Sequence, residues 1–413
     1  MADRIQAPRG TYDVLPDQAA ARAALEAHAR EVLEAAGYER VETPVFEHTE
    51  LFSRGVGEST DVVQKEMYTF SDGGGRSLTL RPEGTAAVCR AYAEHGMHKL
   101  AQPVKLWYLG QFFRYERAQA GRYRQFWQVG AEALGSDDPA VDAESILLLA
   151  TLLGDLGARG VQVRVSSLGR VEARAVYREA LQAHLRAHEE RLSEEVRARI
   201  DLNPLRAFDS DHPGTREVMR DAPLLRDFLE ADDAAHFAEV LALLDAADVA
   251  YEVDPTLVRG LDYYARTVFE VHSTELGAQS ALGGGGRYDG LVAQIGGPPT
   301  PGMGWAAGIE RILLAGGTPP HAAPPVDLLV AGPAGPLQFK LAVDARHAGL
   351  RAQVDLGGRS RKGVLKQANR LHARYVAWMD DDGHAQLKDM DSGEQREVAV
   401  DAIVRDVLRG PAL

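Results

Sequence analysis

The sequence predicts an α+β chain: a sheet flanked by helices, interrupted by a helical insertion and followed by a small α/β domain. Three observations carry this. The stretches Val104–Arg114 and Tyr123–Leu134 read as two strands around a polar loop, a long hairpin. From Val171 to about Ala250 the chain is rich in Ala, Leu, Arg and Glu at helical spacing, with no strand signal until its end. The run GGTPPHAAPP, Gly316 to Pro325, is the clearest linker, and short strand and helix signals alternate after it.

Taken in order, Pro16 to Gly37 reads as an amphipathic helix with Gly37 as its C-cap. Glu39–Val45 and Leu78–Leu80 read as strands, and Glu83–Tyr92 as a helix. The hairpin follows, then a helix over Asp142–Leu156 and a strand over Val161–Leu168. Beyond the helical segment, strands resume at Tyr251–Val253, Thr267–His272 and around Ser280. Gly304–Leu314 is a strand-to-helix junction. In the last region Val326–Ala331, Arg351–Val354 and Tyr375–Trp378 are the strand candidates.

A chain of 413 residues predicts two or three domains. The single cysteine, Cys89, excludes an internal disulfide and a multi-cysteine zinc site. No apolar run is long enough to span a bilayer and no secretory h-region opens the chain, so a soluble, cytoplasmic protein is expected. The net charge of −14 argues against a nucleic-acid partner, but it is unevenly spread. Residues 326–413 hold 13 Lys and Arg against 12 Asp and Glu, which leaves −15 on the first 325. That separates the C-terminal region and allows it a partner of its own.

Phosphate loops of the GxxxxGK[ST] type, GxGxxG at a strand-to-helix turn and HExxH are all missing, which excludes the common nucleotide and zinc-protease sites. Chemistry gathers elsewhere. In the second hairpin strand Gln128, Gly130 and Glu132 share a face, and the glycine between them predicts space above the sheet for a small ligand. Arg114 ends the first strand on a face with Gly110 and Phe112, and the loop carries Glu116, Arg117, Gln119 and Arg122. Charge alone would fit an exposed hairpin, but polar groups on a buried face are costly. LRPEGTAAV places Arg81, Glu83 and Thr85 at a strand-to-helix turn, where Glu83 can simply serve the helix N-terminus. LVRGLDYYARTVFE crowds Arg259, Tyr263, Tyr264 and Arg266 into a strand and its lead-in. Period two puts Arg266, Val268 and Glu270 on one face, and a solvated edge strand is the plain alternative. LGGGGRYDGLV permits close backbone approach, or is a loop. GMGWAAGIERILL sets Arg311 early in a helix, suited to a phosphate. Lys362, Lys366, Arg370 and Arg374, four apart, predict a basic helix face. Such faces are usually solvated, but this one sits in the one region that is not acidic.

The order of these segments resembles the class II aminoacyl-tRNA synthetases, and among them the histidyl-tRNA synthetase family. The segment ending at Pro44 is similar to the first class II motif, FFRYERAQAGRYRQFWQVGAE to the second and GMGWAAGIER to the third. LVRGLDYYARTVFE and GGGRYDGL are similar to the two histidyl signatures. The resemblance implies the class II antiparallel sheet core, a homodimer, and a C-terminal α/β anticodon-binding domain. It implies the boundaries 1–170 and 251–318 for the catalytic domain, 171–250 for the insertion, 319–325 for the linker and 326–413 for the last domain. It implies ATP with Mg²⁺, L-histidine and tRNA(His) as substrates and partners, and no metal-ligating residue is assigned. By the same resemblance Arg259 and Arg114 serve the α-phosphate, Arg311 the nucleotide's phosphate end and Glu116 the adenine. Glu83, Thr85 and Gln128 hold the amino acid's amino and carboxyl groups. Tyr263 borders its pocket, and Tyr264 with Glu132 reads the imidazole. Arg117, Gln119, Arg122, Lys362, Lys366, Arg370 and Arg374 are the expected tRNA contacts. The alternative is a non-catalytic regulatory subunit of histidine biosynthesis built on the same core. The intact Arg259 and the continuation past the linker argue against it.

Overall fold

The computed structural model describes residues 5–57, 60–259, 261–316, 326–332, 335–380 and 384–410. The expected linker over 319–325 lies outside them. The chain divides into two compact units, residues 1–321 and 322–413.

The first unit is built on an eight-stranded mixed sheet. Its strands in chain order are β1 (Glu39–Arg40), β5 (Val104–Phe113), β6 (Gln125–Leu134), β7 (Val161–Ser167), β8 (Glu252–Val253), β9 (Ala265–Ser273), β10 (Ala281–Arg287) and β11 (Gly302–Gly308). A small three-stranded sheet holds β2 (Phe46–His48), β3 (Tyr68–Ser71) and β4 (Ser77–Leu80). The large sheet runs β1-β5-β6-β11-β10-β9-β7-β8, antiparallel except at the two outer pairs. The hairpin of β5 and β6 forms with Tyr108 opposite Gly130 and Gly110 opposite Gln128. The expected strand over Glu39–Val45 is split: β1 joins the large sheet, and the chain then crosses to the small one.

Two apolar layers cover the sheet's faces, as a sheet of alternating side chains requires. One layer includes Tyr108, Phe112 and Val268 with the helix Thr85–Glu94. The other includes Trp107, Phe269 and Val271, closed by the helices Pro16–Ala35, Pro139–Asp155 and Ala231–Ala246. The segment after β7 is helical, with Val171–Ala187, Glu194–Arg199, Pro213–Met219 and Ala231–Ala246. Its apolar residues Tyr177, Leu181 and Leu185 join the first layer.

Two expectations change. The glycine run is a strand, β10, in the middle of the sheet, paired on both sides. Glycines here let β10 lie under bulky neighbours: a Cβ at Gly286 would stand 2.9 Å from Tyr264, and one at Gly284 would stand 3.1 Å from Arg259. β9 is likewise interior, not an edge. Arg266 leaves the face shared by Val268 and Glu270, because β9 bulges there. Its register advances from Val268 opposite Gly286 to Ala265 opposite Arg287, and Arg266 takes φ 48°.

The second unit has a five-stranded sheet of β12 (Leu328–Ala331), β13 (Ala352–Val354), β14 (Tyr375–Met379), β15 (His384–Asp389) and β16 (Gln395–Ala399), in the order β13-β12-β14-β15-β16. The helices Pro336–His347, Arg361–Arg370 and Val400–Arg409 accompany it. Among the described residues no helix is long and apolar enough to cross a membrane.

Candidate functional site

On the first-layer face of the large sheet lies a cavity of about 470 Å³. Glu83, Thr85, Arg114, Glu116, Arg122, Gln128, Arg259, Tyr263, Tyr264 and Arg311 all line it, so segments nearly 230 residues apart in sequence converge on one space. Strand β10 acts as a ruler along its floor. Arg311 donates to the carbonyl of Ala281, Arg259 lies over Gly284, and Tyr264 lies over Gly286. At about 3.3 Å per residue, the two arginines are separated by roughly 10 Å of strand, and the tyrosine lies roughly 7 Å further.

At the arginine end, Arg311 leaves the helix Ile309–Leu314 and also donates through Nε to Gly121 O at 3.1 Å, which ties it to the hairpin loop. Arg114 donates Nε to Pro82 O at 2.8 Å. Glu116 sits between Arg122 at 3.2 Å and Arg114 at 3.9 Å. Burial, with Arg122 and Arg114 close by, pulls the Arg311 guanidinium below its usual pKa. This is an electropositive end built to accept negative charge.

In the middle, Arg259 is ion-paired with Glu270 and its guanidinium stands 5.7 Å from the Tyr264 ring centre. Glu270 also meets His272 Nε2 at 2.9 Å. Burial pushes the Glu270 carboxyl up, but Arg259 and His272 outweigh it and hold it down to about 2. Glu270 is a cavity residue without an expected role. Its face was legible, but its partner was not.

At the far end, Glu83 accepts from Thr85 N at 2.8 Å and Ala86 N at 3.0 Å, so it does serve the helix N-terminus while also lining the cavity. Burial pushes its carboxyl up despite those two amides. The Gln128 Oε1 atom is buried and has no hydrogen-bond partner among the described residues. An unpaired buried acceptor at a cavity wall is what a ligand donor would satisfy.

Glu132 does not line the cavity. It lies beneath this end with no exposure and accepts from Thr85 Oγ1 at 2.7 Å, Tyr108 OH at 3.3 Å and Tyr288 OH at 2.5 Å. Burial pushes its carboxyl up to about 8 against the pull of the Tyr288 and Thr85 hydroxyls. The space expected above Gly130 is taken by the Tyr108 ring, which a Cβ at Gly130 would overlap. Tyr108 and Tyr288 are thus parts of this end that the sequence reading left without roles. Tyr108 lies at period two with Arg114 on the first hairpin strand and Tyr288 lies in the glycine-rich signature, but neither position marked a role.

Arg117 and Gln119 are exposed on the hairpin loop, and Gln119 forms a bridge with Arg122. In the second unit Lys362, Lys366 and Arg370 are exposed on the helix Arg361–Arg370. Arg374 is not on that helix. His372 takes φ 48°, the chain turns into β14, and Arg374 pairs with Asp327 at 3.3 Å. Among the described residues no three His, Cys, Asp or Glu side chains gather as a metal site.

Comparison with known proteins gives a consistent picture. The histidyl-tRNA synthetase family profile matches residues 10–312. A histidine–tRNA ligase of Desulfitobacterium hafniense is 48% identical over 404 residues, 95% of each chain. One from Halothermothrix orenii is 45% identical over 413 residues, 98% of this chain and 99% of the relative. The crystal structure of apo S. aureus histidyl-tRNA synthetase superposes with a TM-score of 0.81 at 35% identity, covering 97% of this chain and 99% of that one. A Bacillus halodurans protein described as an ATP phosphoribosyltransferase regulatory subunit/histidyl-tRNA synthetase shares the fold, with a TM-score of 0.67 at 22% identity.

Proposed function

The chain belongs to the histidyl-tRNA synthetase family, and from that premise we propose how its residues divide the reaction. The activity is the ATP-dependent ligation of histidine to tRNA. In the first step the histidine carboxylate attacks the α-phosphorus of ATP in line. A carboxylate O–P bond forms, the α–β bridging P–O bond breaks, and pyrophosphate leaves with the electron pair. In the second step the terminal adenosine hydroxyl of tRNA(His) attacks the activated carbonyl and AMP departs.

The observation that carries the assignment is the order along β10: Arg311, then Arg259, then Tyr264 over one floor. We assign Arg311 to the phosphate end and Arg259 with Arg114 to the α-phosphate, where negative charge grows in the transition state and fixed guanidinium donors stabilise it. Glu116 takes the adenine. Glu83 and Gln128 Oε1 accept from the substrate ammonium, with Thr85 beside them. Tyr264 and Glu132 read the imidazole ring, Glu132 by exchanging one of its hydroxyl bonds for the ring. Tyr263 closes that wall. A site that hydrogen-bonds a substrate ring rejects analogues lacking those groups by roughly 10⁴–10⁵, so no editing is required. Mg²⁺ would enter with the nucleotide. When bound it neutralises phosphate charge. The class II homodimer, ATP binding in this cavity and tRNA contact through Arg117, Gln119, Arg122, Lys362, Lys366 and Arg370 complete the reading.

ATP–pyrophosphate exchange with each of the twenty amino acids tests it. Exchange with histidine alone is expected. Folded protein that binds histidine yet exchanges with none would return the regulatory reading.

A further inference from the structure

Behind the histidine end, on the opposite face of the sheet, five ionisable side chains are buried together. Arg287 has no exposure and directs all its N–H groups at acceptors: Asp142, Asp289 at 3.1 Å, and the carbonyls of Ser136 at 2.9 Å and Asp138 at 3.3 Å. Asp142 also meets His236 Nε2 at 2.8 Å, and His236 Nδ1 lies 3.4 Å from Arg266 Nη1. Arg266 donates Nε to Asp233 Oδ1 at 3.0 Å. Two arginines and two aspartates balance, and the chain of contacts joins the helices Pro139–Asp155 and Ala231–Ala246 to strands β9 and β10.

Buried ion networks are weak sources of stability, because desolvation offsets most of the attraction. Their use is to specify geometry, and the geometry here is unusual. Arg266 holds a left-handed φ of 48° in the interior of a sheet, where a non-glycine residue persists only if its surroundings over-determine it. Its amide donates to Gly169 O at 2.8 Å and its carbonyl accepts from Leu168 N at 2.7 Å, so the bulge is held by the chain after β7 as well as by Asp233. The bulge has a direct consequence for the cavity. Without it, period two would place Arg266 on the face of Tyr264. With it, Arg266 turns back into the charged cluster while Tyr264 packs over Gly286 on the cavity side. Arg287 makes the same division on β10, since the next residue, Tyr288, reaches forward to Glu132. The Tyr263 and Tyr288 rings meet at 5.9 Å.

We propose that Arg266, anchored by Asp233 and His236, is a positioning residue for histidine recognition: it fixes the β9 bulge that sets Tyr263 and Tyr264 against Tyr288 over Glu132. The proposal rests on the assignment of this end of the cavity to the amino acid. It makes Arg266 selective in effect. Arg311 and Arg114, at the phosphate end, are held away from the bulge, whereas Arg259 touches Tyr264 and would register a shift in kcat rather than in the ATP KM.

Two variants test this, Arg266→Lys and the charge-balanced pair Arg266→Met with Asp233→Asn. KM for histidine and for ATP would be read in pyrophosphate exchange, with histidine affinity by calorimetry and Tm alongside. A displaced recognition group predicts a histidine KM and Kd raised roughly tenfold or more in the paired variant, less in Arg266→Lys, with the ATP KM within about twofold of the parent. Unchanged histidine KM and Kd would overturn the proposal. So would KM values for histidine and ATP that rise together, or two variants that both fail to fold, since each assigns the cluster to the fold as a whole. A parent chain without histidine-dependent exchange would instead refute the functional reading, and the calorimetric Kd for histidine would still decide the role of Arg266.

Discussion

Replacing Arg259 with alanine removes one charge and exposes another. In the intact chain Glu270 is held down to about 2 instead of an ordinary 4.5, with the charge of Arg259 the largest single attraction opposing burial. That difference is worth about 3 kcal/mol in favour of the ionised carboxylate. The Glu270 side chain is only 20% exposed, so solvent screening takes little of it. The Arg259→Ala variant therefore loses a preorganised donor, about 3–4 kcal/mol or 10²–10³-fold in kcat for adenylate formation. It also leaves Glu270 facing the incoming phosphates beside His272 alone. A carboxylate about 8 Å from a phosphate, at an effective dielectric of about 20, adds repulsion on the order of 2 kcal/mol. The double variant Arg259→Ala with Glu270→Gln removes that second part and should run roughly tenfold or more faster than the single one. Pyrophosphate exchange at saturating histidine and ATP measures both. A single variant within tenfold of the parent would refute the assignment of Arg259. A double variant no faster than the single would refute the reasoning about Glu270.

Glu132→Gln bears on pH. The parent carboxyl, pushed up to about 8 in the folded chain, binds its proton more tightly than the unfolded chain does. Its contribution is full below about pH 4.5 and is lost as pH rises through about 8. Glutamine mimics the neutral form, so urea midpoints of the variant should gain on the parent between pH 5 and 8, and a constant difference across that range would count against the buried carboxyl. Gly130→Ala should cost about 1–3 kcal/mol, because the new methyl overlaps the Tyr108 ring. Histidine KM should rise with it, and an unchanged KM would show that Tyr108 is not part of that wall. Alanine at Lys362, Lys366 and Arg370 together should raise the KM for tRNA, flatten its salt dependence and leave pyrophosphate exchange unchanged. Arg374→Ala, which breaks the pair with Asp327, should lower stability more than tRNA affinity. Equal tRNA effects from the two would restore Arg374 to the basic face.

The hairpin, the helical segment after β7 and the strand-to-helix junction at Arg311 were legible in the sequence. Each is set by signals within about a dozen residues: period-two alternation, helical spacing, glycine and proline positions. The order of the motifs identified the family for the same reason, since order survives in a linear string. How the site residues meet was settled by tertiary packing. Period two placed Arg266 beside Glu270, but a bulge opposite Arg287 sent it to the other face. A glycine run with no side chains to pattern left both close backbone approach and a loop open, and it became a central strand because its neighbours supply the bulk. The room above Gly130 and the end of the basic helix at His372 were likewise settled by Tyr108 and by a left-handed turn. Glu132 was legible as a polar residue on the right face. Its depth was not, because burial depends on three hydroxyls that arrive from a helix, the middle of β5 and the residue after β10, and no local spacing records them.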